Sequence, residues 1–283
     1  MSETIEQLEH RIASAGELRD ITGAMRAMAA ARLQEATTAL PAIRAYAATV
    51  TRALAEVIAL AAAPPARTTT SPGAVLVCFA PEHGFVGTLA ERVAAAAAER
   101  SPERLLMVGD RGADALGTLG KTADAALALA PHLESMPALA RQVVERCAPW
   151  VASGAVGAMD LLYPAHDAAG SPRITLRRLL PVPFATPERA GPPALTNLPA
   201  ASLLPALVDE YLVGEVMHAA VETLASENAA RLAVTDAARH NVEETLQALG
   251  RQRQIARQTR ITAEIAEVVA GVLRAESDDA VGG

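Results

Sequence analysis

Apolar residues recur at spacings of three and four near the start of the chain: Ile5, Leu8, Ile12, Ala15, Leu18, Ile21, Met25 and Met28. This spacing predicts a helix with one apolar stripe, lying along a partner helix. The helical pattern runs to about residue 62, and Pro41 is the one position that should kink it or mark a join. From Ala206 to Arg274 the pattern returns without proline, with Gly214 and Gly250 as weak points before Gly271. At a rise of 1.5 Å per residue the two helices would reach roughly 85 and 100 Å, more than the width of a small domain. Pairing them antiparallel as a coiled coil is the simplest way to bury both stripes. The irregular spacing predicts a loose pairing, not strict heptads.

The pattern between them is different. PPARTTTSPG (64–73) is a linker of Pro, Thr and Ser. AVLVCF (74–79), RLLMVG (104–109), AVGAMDLLY (155–163) and RITLRRLLPVPF (173–184) read as strands, with helical stretches at 88–100 and 135–151. Strands alternating with helices predict a mostly parallel sheet covered on both faces. A second proline-rich stretch, Pro187 to Pro205, closes this part. The expected organisation is an N-terminal long helix (1–63), an α/β domain (73–190), a C-terminal long helix (203–275) and a flexible tail (276–283). A rod of this kind is more often a spacer, shaft or scaffold than an enzyme core.

Composition narrows the reading. The chain has 283 residues, 51% of them hydrophobic but only 2% aromatic. Much of the apolar content is alanine, which forms helices well and buries little area. Helices should therefore pack closely around small side chains. A net charge of −7 argues against a general nucleic-acid binder. Cys78 and Cys147 form no C-x-x-C pair and fit reduced thiols in the cytosol. No secretory signal is visible in MSETIEQLEH. The longest apolar run, ALAEVIALAAA, is interrupted by Glu56 and is too short to span a bilayer. The expectation is a soluble chain, or one held at a membrane only through partners.

Both ends resemble the gamma subunit of F-type ATP synthases. In ITGAMRAMAAARLQEA (21–36) the matching positions are Ile21, Thr22, Ala24, Met25, Met28, Ala29, Ala30 and Leu33. SENAAR (226–231) matches the family's Ser-Glu-x-Ala-Ala-Arg, and Asn241 falls where the family tends to have asparagine. RQTRITAEIAEVVAG (257–271) matches almost throughout, while Tyr163 and LLP (179–181) fit in the middle. The departures are PEHGFVG (81–87), which keeps only Gly84 and Gly87 of a more glycine-rich turn, Gly23 and Arg32 where lysines are common, and Gln254 where asparagine is common. A diverged branch, such as the alternate F-type ATPases of some bacteria, fits these departures.

The resemblance implies an antiparallel coiled coil of the terminal helices flanking a Rossmann-like α/β domain. It implies a non-catalytic rotor subunit without cofactor or metal, at the cytoplasmic face of the bacterial inner membrane. The implied partners are the alpha and beta subunits, the epsilon subunit and the membrane c-ring. Carried over position by position, it puts Met25, Arg257, Gln258, Thr262, Glu264 and Glu267 where the shaft meets the alpha/beta hexamer, and His83, Gly84 and Gly87 among candidate contacts of the foot. Taken without the family, RQRQIARQTR (251–260), with four arginines and no acid, reads either as a contact for acidic or polar loops of a surrounding protein or as a solvated basic helix face. Met25 by the same reading is an ordinary core residue.

Other chemistry is sparse. ALGTLGKT (115–122) satisfies a loose phosphate-loop pattern around Lys121, the chain's only lysine. That chemistry needs a strand running straight into the loop and a helix starting at the phosphates. Here the strand ends at 109 and 111–116 reads as helix, so a helix-ending glycine turn is the better reading. The six histidines show no H-x-x-x-H spacing. Neither G-x-S-x-G nor G-x-G-x-x-G occurs. His83 sits at a strand end, where α/β enzymes place active sites, and a loop or partner contact is the plainer reading. A small α/β enzyme with helical oligomerisation arms and a coiled-coil scaffold unrelated to ATPases stand as the alternatives.

Overall fold

The computed structural model describes residues 4–60, 73–167, 171–182 and 195–281, with side chains up to residue 270. The linker expected at 64–72, the end of the last predicted strand at 183–184 and the proline-rich stretch from 187 to 194 lie outside the described residues.

The elements are α1 (Ile5–Leu60), β1 (Ala74–Phe79), α2 (Leu89–Arg100), β2 (Arg104–Val108), α3 (Asp110–Thr118), β3 (Ala125–Leu127), a 3-10 turn (Leu133–Ser135), α4 (Met136–Ala152), β4 (Ala158–Ala165), β5 (Arg173–Leu180) and α5 (Ala200–Val281). Pro41 lies inside α1 and Pro205 inside the first turns of α5, and neither ends its helix. Gly214 and Gly250 do not interrupt α5. Helix continues through Val281, into the segment 276–283 expected as a tail. The chain divides into two compact units, 27–234 and the terminal segments 1–26 with 235–283.

The larger unit is built on one sheet of strand order β3-β2-β1-β4-β5. The first four strands are parallel, and β5 is an antiparallel edge. The sequence pattern missed β3, three residues inside an alanine-rich stretch. Side chains alternate across the sheet, as strand geometry requires. Val75, Val77 and Phe79 of β1 join the core under α4, α1 and α5. Leu76, Cys78 and Ala80 join the core under α2 and α3. Burial pushes the Cys78 and Cys147 thiols up to about 12. Gly112 packs so closely that a Cβ there would lie 2.2 Å from the Ala80 Cβ. The first turn of α3 therefore admits no side chain at that position.

Against α1, α5 runs antiparallel in this unit: Tyr46 hydroxyl meets Glu210, and Arg44 meets Glu222. A Cβ on Gly214 would sit 3.2 Å from the Tyr46 ring and 3.8 Å from the Ala47 Cα. Positions 47 and 214 are therefore neighbours across the helix pair, within reach of a disulfide once the Tyr46 ring gives way slightly. The double variant Ala47→Cys/Gly214→Cys is expected to cross-link on mild oxidation, read by mobility on a non-reducing gel. Absence of the cross-link in folded protein would contradict the pairing.

Buried positions of α1 correct the predicted stripe. Leu8, Ala15, Ala29 and Ala36 are buried and fall at multiples of seven, the repeat of a left-handed coiled coil. Leu18, Ile21 and Met28 are 53%, 56% and 57% exposed. A stripe drawn at 3.6 residues per turn drifts away from a seam that repeats every 3.5. Along this part of α1 the pairing is thus more regular than the sequence suggested, and its seam is mostly alanine.

Candidate functional site

Two regions concentrate polar chemistry: the terminal unit and the carboxyl end of the sheet.

In the terminal unit, Arg26 of α1 pairs with Asp236 of α5. Further along, Thr4, Ile5, Glu6 and Leu8 line a groove of about 790 Å3 with α5 residues from Gln252 to Ala263. The numbers fall on one helix as they rise on the other, so the pair is antiparallel. This register corrects one expectation. Ile261, Ile265 and Val268 share a helix face at spacings of four and three, which predicts packing on the N-terminal helix near Met25, but they are 46%, 59% and 66% exposed. Met25 is half-buried near the level of Asp236. Some twenty residues of helix, roughly 30 Å, separate that level from Arg257. Met25 and the Arg257 cluster are therefore not brought together. Beyond Ala263, α5 has no described residue of α1 opposite it.

Arg257, Gln258, Thr262, Glu264 and Glu267 are all exposed. Glu264 takes a hydrogen bond from Arg260 at 2.9 Å, and the Thr262 hydroxyl donates to the Gln258 carbonyl at 2.9 Å. Both are local contacts within one helix, worth little by themselves. The region combines exposed apolar side chains with unshielded polar ones, which suits a protein contact surface better than a reaction centre.

At the carboxyl end of the sheet, the turn 81–87 lies against the middle of α5. The Glu82 and His83 main-chain N–H groups donate to the Glu227 carboxylate at 2.9 and 3.4 Å. Arg231 donates to the same carboxylate at 2.5 Å and to the Gly84 carbonyl at 3.3 Å. Gly87, with φ +60°, faces Val234. Thus the Gly84 carbonyl is held by this chain's own helix, while His83, Phe85 and Gly87 are exposed, Phe85 by 65%. Glu82 itself accepts from the main-chain N–H groups of Asp110 and Leu129 at 3.2 and 2.7 Å.

One turn and a half earlier on α5, Glu222 accepts from Arg44, from His218 at 3.2 Å and from the His166 main-chain N–H at 2.9 Å. Burial alone would raise its carboxyl, but these donors and the Arg44 charge outweigh it and hold it at about 2. Glu215 behaves oppositely. Burial lifts its pKa against the pull of Arg177, 2.6 Å away, and its Oε2 has no hydrogen-bond partner among the described residues. Arg177, half-buried, thus serves a buried carboxylate. Exposed Arg141 on α4 is the better control.

Sequence reasoning took no functional notice of Glu215, Glu222 or Glu227. Acids on a helix read as a solvated face, and only the SENAAR resemblance marked Glu227.

The phosphate-loop pattern has no phosphate geometry. Lys121 follows the end of α3, and its ammonium donates to the Ala98 carbonyl near the end of α2. A lysine there complements the helix dipole. The purified chain is expected to show no micromolar ATP binding by calorimetry. Binding that disappears in Lys121→Ala would contradict this.

Among the described residues, no helix is long and apolar enough to cross a membrane. The ATP synthase family model matches residues 4–273. The ATP synthase gamma chain of Geobacter metallireducens is 30% identical over 287 residues, covering 95% of this chain and 97% of that protein. The gamma chain of Solibacter usitatus is 29% identical, covering 95% and 98%. Among solved structures, a chain of the Euglena gracilis mitochondrial ATP synthase, in an assembly of OSCP, F1 and c-ring, aligns with a TM-score of 0.68 at 16% identity, covering 97% of this chain and 95% of that one. A chain of the Tetrahymena thermophila mitochondrial central stalk and c-ring aligns at 0.57 and 20% identity, covering 77% and 99%. These structures share the fold of terminal helices around an α/β sheet. With a family match over nearly the whole sequence and a relative at 30% identity along almost its full length, the chain belongs to the ATP synthase gamma chains.

Proposed function

We propose that the chain is the central rotary shaft of an F-type ATP synthase, coupling c-ring rotation to ATP synthesis or hydrolysis in the alpha/beta hexamer around it. The contrast along α5 carries this reading. From Tyr211 to Thr235 the helix is largely enclosed by its own chain, whereas Ile261, Ile265, Val268 and Val269 are exposed beside polar side chains. Such a tip is built to be covered by another protein. Residues 1–63 and 203–275 form the shaft and 73–190 the foot. Met25, Arg257, Gln258, Thr262, Glu264 and Glu267 meet the alpha and beta subunits. The foot meets epsilon and the c-ring, with His83, Gly84 and Gly87 among its contacts and the exposed Phe85 side chain beside them. The complex sits at the cytoplasmic face of the bacterial inner membrane.

The mechanism is one of differential affinity. Each orientation of an asymmetric shaft favours a different conformation of the three surrounding sites, so nucleotide binding and release follow rotation. The chemistry of ATP lies on the partners, and this chain supplies shape and contact.

The test is purification. From native membranes the chain is expected in a large complex with nucleotide-binding subunits, and it should restore ion pumping to a complex depleted of its gamma subunit. Recovery as a free chain under conditions that keep the ATPase intact would overturn the assignment.

A further inference from the structure

In open α/β sheets, ligands bind at the carboxyl ends of the strands where the strand order reverses, because main-chain N–H groups converge there on an anion. In this chain that point lies between β1 and β4: the connection from β1 leads to β2 on one side, and β4 lies on the other. The donors at the crevice are already taken, each by a carboxylate of the chain itself. The consecutive N–H groups of Glu82 and His83, after β1, hold Glu227. The N–H of His166, after β4, holds Glu222. Beside them the N–H of Asp110, where α3 begins, donates to Glu82. Between the two α5 carboxylates the Ser226 hydroxyl donates to the Pro164 carbonyl at 2.8 Å.

We propose that the crevice between β1 and β4 is an oxyanion-binding site whose ligand is the chain's own Glu227 carboxylate, delivered by α5 in place of a soluble anion. Two successive main-chain donors and one guanidinium nitrogen of Arg231 converge on that one group, while the other two nitrogens fix the guanidinium to the Gly84 carbonyl and the Asn228 side chain. The Glu227 and Arg231 side chains are only 3% and 8% exposed. This is the donor set that a planar, singly charged oxyanion needs. An ordinary buried ion pair on one helix would need no main-chain donors from the sheet. The domain keeps the architecture of an anion-binding fold while using it to seat a helix. The site chemistry therefore favours small carboxylates such as formate or acetate, and it leaves no vacancy for a nucleotide phosphate.

The test is chemical rescue in the full-length chain. Glu227→Ala vacates the seat and is expected to lower Tm by roughly 5–10 °C, the effect of breaking a buried charged pair in a chain of this size. Sodium formate should restore several degrees of that loss relative to sodium chloride at equal ionic strength, while the wild-type chain responds equally to both salts. Hydrogen exchange at the Glu82 and His83 amides should accelerate in the variant and slow again with formate. The formate effect should vanish in Glu227→Ala/Arg231→Met. Equal responses of variant and wild type to the two salts, or amides as protected in Glu227→Ala as in wild type, would overturn the proposal. If Glu227→Ala does not fold, Glu227→Gln keeps the shape and loses the charge. Unchanged exchange at both amides in that variant would overturn it equally.

Discussion

Replacing Arg257 or Gln258 with alanine is expected to slow ATP turnover of the assembled complex by about ten-fold, with the chain still folded and incorporated. The folded-state half of this expectation rests on exposure. Both side chains are exposed, neither has a buried partner among the described residues, and α5 has no interruption there. Surface substitutions of that kind usually change stability by less than about 0.5 kcal/mol. The functional half rests on the proposed contact with the alpha/beta hexamer. Arginine supplies a planar, permanently charged fork, and a charged hydrogen bond lost against a buried partner costs about 1.5–3 kcal/mol. A contact that strengthens at the rate-limiting step turns such a loss into a ten-fold change or more. Arg141→Ala, on the exposed face of α4, should leave turnover unchanged. Steady-state hydrolysis by complexes of matched subunit content decides the matter. Wild-type rates in both cluster variants would remove this segment from the contact, even within the same family.

Glu222→Ala should destabilise the chain by on the order of 3 kcal/mol at neutral pH and flatten its acid limb. The carboxyl titrates near 2 in the folded chain, below its ordinary value of 4.5. A depressed carboxyl contributes stability that is present above the unfolded pKa and lost as pH falls through the folded one. The wild-type chain should therefore lose this contribution between about pH 4.5 and 2. The variant lacks it throughout, so the two stability curves converge at low pH. Arg44, at 55% side-chain exposure, can return to water when its partner is removed, which limits the damage. The half-buried His166 N–H loses its acceptor. Denaturant titrations at pH 7, 4.5 and 3 measure the difference directly. A gap that stays constant over that range would refute the electrostatic account of this contact.

How far the sequence went depended on what each residue meets. Strands β1, β2, β4 and β5 and helices α2 to α4 were legible because their apolar runs are bounded by Gly, Pro and charged residues. β3 was not, because Ala125–Leu127 is too short and too alanine-rich to differ from its surroundings. The two terminal helices were legible, but their seam was not. Leu18, Ile21 and Met28 carry the strongest apolar character and remain exposed, whereas Ala15, Ala29 and Ala36 form the interface. Hydropathy ranks these residues in the opposite order to their burial, since a close helix approach selects for small side chains. The exposed 257–267 segment was found through its likeness to a family, not by any local chemistry. Glu222 and Glu227 were hidden for a related reason: a helix enclosed on every side places acids in the interior, which no helical period reveals.

The burial of Cys78 and Cys147 makes the native chain a ready platform for site-specific probes. Maleimides react with the thiolate, and at pH 7.5 a thiol held near 12 is ionised in fewer than about one molecule in ten thousand. An exposed cysteine with an ordinary pKa is ionised in roughly one in ten under the same conditions. A single Arg141→Cys on the exposed face of α4 would thus react about a thousand-fold faster than either native thiol, before counting the steric barrier of the core. A fluorophore or bead can be attached there without first replacing the native cysteines, and the label would report the angular position of the helix that carries it.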